Sequence, residues 1–147
     1  MFSALVANMS IYMSRATEKT NAEIAQDLYD SFASGDIEAI RAVMHPDVEL
    51  HEPRGIVGGG THHGFDEIVE NVFSRLGTEW VDVSVVPEEF IEDGETVVVL
   101  LTWSGTYNKT GKTVEYPNAH VFDFEDGAIV KWRSYADTAL FNAALED

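Results

Sequence analysis

The chain has 147 residues, 45% of them hydrophobic and 11% aromatic, which suits one domain with a packed core and argues against a disordered chain. It has no cysteine, which excludes disulfides and thiolate metal centres. A net charge of −17, with 26 acidic residues against 9 Lys and Arg, lacks the clustered cations that nucleic-acid binding requires.

The missing cysteines fit a cytoplasmic location. So acidic a composition is also what a surface adapted to high salt would carry. The opening MFSALVANMSIYM is apolar but has no basic leader and no small-residue cleavage site, and it is too short to span a bilayer. Residues 1–19 read as a flexible tail and residues 20–147 as a single domain, with no membrane partner expected.

Thr20-Asn21-Ala22-Glu23 has capping-box spacing, and Ile24, Leu28 and Phe32 follow at helical period up to a stop at Gly35. Asp36 can cap a short second helix with Ile37, Ile40 and Val43, ended by His45-Pro46. A strand over Asp47–Glu52 precedes a glycine-rich loop reaching Gly60. Ile68, Val69, Val72, Phe73 and Leu76 then define a third helix closed by Gly77. The remainder is a meander with strands at Trp80–Ile91, Thr96–Tyr107, Thr113–Phe124 and Ile129–Asp137. Two of its turns carry Asp-Gly, at 93–94 and 126–127. A short helix over Ala139–Leu145 closes the chain. Helices first and a long antiparallel sheet afterwards imply an α+β fold. The apolar run Val97–Leu101 predicts a sheet covered on both faces, and hence a homodimer.

Alternation decides which side chains share a face. Along 113–124, Val114, Tyr116, Asn118, His120, Phe122 and Phe124 fall together on the apolar side. Three hydrogen-bonding groups among aromatics describe a ligand pocket as well as a core. Glu52 shares parity with Val48 and Leu50, so it points inward at a strand end, where burial would raise its pKa. Asp137 shares parity with Lys131, Arg133 and Tyr135, which argues for exposure unless a bulge intervenes. The histidines show no metal-ligand spacing, and no phosphate loop, dinucleotide fingerprint or nucleophile elbow occurs, so neither metal nor cofactor is expected.

The order of elements, with SGDIEAIRAVMHPDVELHEPRG, GFDEI, WSGTYNKTGK and AHVFDFEDGAIVKWRSYAD, resembles the nuclear-transport-factor-2-like superfamily and within it the SnoaL-like polyketide cyclase group. The resemblance runs from about Asn21 to the C-terminus. It implies a cone, a strongly curved and mostly antiparallel mixed sheet wrapped on N-terminal helices around one pocket. It also implies a base on the last strand aided by a histidine on the strand before, places matched by Asp137 and His120. Ketosteroid isomerases are similar in the first half, where Glu52-Pro53-Arg54-Gly55 matches the setting of their catalytic carboxylate. Their oxyanion-holding Tyr and Asp positions fall at Leu28, beside Tyr29, and at Ala119. Limonene epoxide hydrolases are similar around KWRSYAD, but Leu101 and Trp103 stand where their Asp and Arg would be.

These implications give a cofactor-independent acid–base enzyme of cyclase, isomerase or dehydratase type, acting on a small apolar carbonyl compound. Asp137 leads as base, with His120 as its partner and Glu52 as second carboxylate. Tyr116, Asn118, Trp103, Phe122, Trp132, Leu50 and Tyr29 are expected to contact the substrate. The rival reading is a non-catalytic ligand-binding or dimerisation module of the same fold.

Overall fold

The computed structural model describes residues 18–147, so the tail expected over residues 1–19 lies almost wholly outside the described residues. Helix α1 (Asn21–Ser34) starts as its sequence dictates. The Thr20 side chain accepts from the Glu23 N–H at 3.1 Å, and Glu23 Oε1 accepts from the Thr20 N–H at 3.3 Å. It stops at Gly35, whose φ of 71° is left-handed. Asp36 caps α2 (Ile37–Ala42). Leu28 and Tyr29 are the buried face that α1 turns to the sheet.

Strand β1 (Met44–Glu52) runs through Pro46 rather than starting after it. Its pairing with the last strand is interrupted between Met44 and Glu49, and that irregularity absorbs a residue with no N–H to give. Strand β2 (Gly60–His63) leads into α3 (Phe65–Ile68), a π-helical turn (Val69–Phe73) and α4 (Ser74–Glu79). The expected stop at Gly77 does not occur. Arg75 donates to both Glu79 carboxylate oxygens at 3.2 and 3.1 Å, and this one-turn pair ties the chain helically across the glycine.

The meander forms β3 (Trp80–Asp93), β4 (Thr96–Tyr107), β5 (Thr113–Glu125) and β6 (Ala128–Tyr135). Asp126 and Gly127 both have positive φ, as a tight hairpin turn requires. The six-stranded sheet has the order β2-β1-β6-β5-β4-β3, with β1 and β6 parallel and the other pairs antiparallel. Register breaks after Val81 and after Pro87 bend the long β3. The fold is α+β, an open mixed sheet with the helices on its concave face. The last strand ends at Tyr135, and α5 (Thr138–Leu145) closes one end of the cone.

Alternation on β5 holds without interruption from Val114 to Phe124, and all six expected inward side chains are buried. On β4, Val97, Val99, Leu101, Trp103 and Tyr107 face the same core. Stacked and edge-on aromatic pairs fill the concave side, among them Trp103–Tyr116 at 5.3 Å and Phe122–Trp132 at 5.4 Å between ring centroids. No helix among the described residues is long and apolar enough to cross a membrane.

Candidate active site

The parallel register Leu50↔Trp132 and His51↔Arg133, carried one residue further, sets Glu52 beside Ser134. Strands β5 and β6 pair His120 with Ser134. Three neighbouring strands thus bring a carboxyl, a hydroxyl and an imidazole to one place on the concave face. Tyr29 of α1 reaches down to them, and Trp103, Tyr116 and Asn118 extend the wall along β4 and β5.

These groups line a cavity of about 100 Å³, which limits its occupant to a small molecule. Phe141 of α5 seals one end, packed 5.1 Å from Trp80 and 5.8 Å from Trp103 between ring centroids. The mouth is formed by the loop after β1, where Val57 lines the cavity and is 55% exposed. Asn142 holds this loop. Its Oδ1 accepts from the Val57 N–H at 3.1 Å, and its Nδ2 donates to the Gly55 carbonyl at 2.6 Å. Gly58 lies flat on Arg75, where a Cβ would fall 1.7 Å from the guanidinium.

Glu52 is the chemically distinctive group. It lines the cavity, and burial pushes its carboxyl up to about 7, offset in part by the neighbouring Ser134 hydroxyl. His120 is buried with Nδ1 2.7 Å from Tyr29 Oη, and desolvation pushes it down to about 3, so it is neutral at physiological pH. Tyr29 is held protonated by burial. Tyr116 is held protonated by burial first, then by the negative fields of Glu52 and Asp137. Two buried polar atoms in the lining lack a partner, the Asn118 Oδ1 acceptor and the Trp132 Nε1–H donor. A buried polar atom left alone costs roughly 1–3 kcal/mol, so both are local costs in the wall of the cavity.

Of the residues singled out by sequence, Glu52, His120, Tyr116, Asn118, Trp103, Trp132, Leu50 and Tyr29 line one cavity. Phe122 is fully buried behind it, against Trp132 and Tyr29, and is not part of the lining. Asp137 is not part of the lining either. It lies beyond the end of β6, whose irregularity at 129–131 falls before Trp132 and so leaves Asp137 off the inward parity of Trp132 and Ser134, and its Oδ1 accepts from the Leu140 N–H at 3.0 Å as the cap of α5. Sequence reasoning missed Ser134, Arg75, Glu79 and Phe141. Ser134 was within reach, since it shares the inward parity of Trp132. Arg75 and Glu79 were hidden by the π-helical turn, which changes the phase of the helix before them.

The chain belongs to the SnoaL-like domain family, whose pattern matches residues 25–132. Solved structures agree over most of its length. An NTF2-like protein from Burkholderia thailandensis is 35% identical over 88% of this chain and 100% of its own, with a TM-score of 0.85. A second, from Burkholderia pseudomallei and of unknown function, is 30% identical over 88% of this chain and 100% of its own, at a TM-score of 0.80. TerC, co-crystallised with polyporic acid, is 32% identical over 86% of this chain and 98% of its own, at a TM-score of 0.78. No relative among the curated proteins matches significantly.

Proposed function

We propose that this SnoaL-like protein is a cofactor-independent acid–base enzyme that removes a proton from carbon next to the carbonyl of a small, largely apolar compound, with Glu52 as the base. The observation that carries the reading is a carboxyl lining a cavity walled by Leu28, Leu50, Trp103 and Trp132, where burial pushes its pKa up to about 7. A base is most effective when its pKa lies near working pH. Burial supplies that match here, much as apolar surroundings tune catalytic carboxyls elsewhere. His120 and Tyr116 are uncharged donors for the oxygen on which charge would develop. That TerC, a relative, was crystallised with polyporic acid supports a small organic ligand for this cavity.

Glu52 is preferred over Asp137 because Asp137 spends an oxygen on the cap of α5 and stands outside the lining. The test is proton exchange in heavy water with 2-cyclohexenone and cyclohexanone as probes, followed by NMR. Wild-type protein should speed loss of the signal next to the carbonyl, and Glu52→Gln should abolish the acceleration. Equal rates for the two proteins would remove Glu52 from the chemistry.

We also propose that the convex sheet face makes a homodimer. Leu100, Ala119 and Tyr135 stand in one row across β4, β5 and β6, and Ile91, Val98 and Val121 in the next. Leu100, Tyr135 and Ile91 are exposed, an apolar band on an otherwise strongly acidic protein.

A further inference from the structure

The contact between Tyr29 and His120 fixes more than a distance. Tyr29 Oη lies 2.7 Å from His120 Nδ1, and the two rings are 8° from parallel. If Nδ1 carried the ring proton and donated it to Oη, the tyrosyl proton would need another acceptor. Among the described residues Oη makes no other hydrogen bond. If Tyr29 donates instead, Nδ1 accepts, both groups are satisfied, and the proton of the neutral ring resides on Nε2. Nε2 has no hydrogen-bond partner among the described residues, and His120 lines the cavity.

We propose that Tyr29 is a positioning residue that locks His120 as its neutral Nε2–H tautomer, so that the cavity wall presents a fixed, uncharged donor to an oxygen of the bound molecule. Burial supports the lock from both sides. It keeps the proton on Tyr29 and disfavours a second proton on His120, so neither group changes charge near neutral pH. The Trp132 ring, whose centre is 5.4 Å from that of His120, packs edge-on against the imidazole in the same wall and limits its rotation. In the reaction, which rests on the acid–base reading above, Glu52 takes the proton from carbon. The C–H electron pair becomes the new C=C bond while the carbonyl π pair moves onto oxygen. His120 receives that oxygen without surrendering its own proton.

The tautomer is measured by ¹⁵N NMR of histidine-labelled full-length protein, in wild type, Glu52→Gln and Tyr29→Phe. Expected is a protonated Nε2 and an unprotonated Nδ1 on His120 in the first two, and a mixture of tautomers in Tyr29→Phe. Binding of 4-nitrophenol, a planar phenol that offers one oxygen, should shift the His120 Nε2–H signal in wild type and weaken about tenfold in Tyr29→Phe. Should Tyr29→Phe disturb folding, the wild-type spectrum decides alone. A protonated Nδ1 in wild type overturns the proposal and leaves the case for Glu52 untouched. Exchange that is independent of Glu52 overturns the acid–base reading and leaves the tautomer standing.

Discussion

The Ser134 hydroxyl, set beside Glu52 by the β1–β6 register, favours the ionised form of Glu52 against a burial that disfavours it. The pair exists because β1 and β6 run parallel and in register. Removing the hydroxyl in Ser134→Ala should therefore raise the Glu52 pKa above its value of about 7. The ascending limb of a pH–rate profile should move to higher pH by up to about one unit, the size of one such hydrogen bond. An unmoved limb would mean that the two side chains do not communicate.

Glu52 also leaves a signature in stability. Its folded pKa is about 7 against an ordinary 4.5. Below pH 4.5 the carboxyl is protonated in both folded and unfolded chains, and it imposes no penalty. As pH rises from 4.5 through about 7 the unfolded chain releases the proton while the folded chain retains it, so stability falls. Glu52→Gln should escape this loss. In denaturant titrations the variant should gain on wild type over that interval and be ahead by about 3 kcal/mol above it, the linkage value for such a shift.

The cap of α5 gives Asp137 a structural role that can be separated from chemistry. Asp137→Ala should cost about 1 kcal/mol, and Asp137→Asn much less, since Asn caps equally well. Once folded, Asp137→Asn should exchange the probe ketones at close to the wild-type rate. A loss of several orders of magnitude would restore Asp137 as the base.

At Asp137 the family resemblance and the local sequence pattern point in different directions. Its match to a catalytic position comes from the resemblance to SnoaL-like cyclases, whereas its local signal is Asp-Thr-Ala-Leu, the pattern of a helix cap whose oxygen meets the N–H three residues on. Parity with Lys131 and Arg133 agrees with its place outside the lining. Glu52 and the β5 set were legible because alternation from Val48 and from Val114 runs unbroken to the residues that matter. The capping box at Thr20 and the Asp126-Gly127 turn were equally local and equally readable. The Ser134 contact was not, because it depends on which strands become neighbours. A parallel β1–β6 pair joins residues far apart in sequence, and nothing local encodes it.

Asn142 ties the mouth loop to α5. Asn142→Ala removes the acceptor of the Val57 N–H and the donor to the Gly55 carbonyl. Amide hydrogen exchange at Val57 should accelerate by about tenfold or more, the loss of one hydrogen bond, while exchange on β5 stays unchanged. An unaltered Val57 amide would mean that the loop is held by other contacts.

The convex face makes a separate prediction about assembly. Leu100→Asp puts a charge in the centre of the apolar band, where a dimer would bury it unpaired. Light scattering should report twice the chain mass for wild type and the single mass for the variant, with the fold retained by circular dichroism. A wild-type monomer at physiological salt would contradict the homodimer.

The most direct test of the central claim is a pH titration of the Glu52 side-chain carboxyl by ¹³C NMR, assigned by its absence in Glu52→Gln. The account predicts a midpoint near 7, the value that burial in the cavity imposes. A midpoint near the ordinary 4.5 would contradict it, because the carboxyl would then be solvated and too weak a base for the role assigned to it.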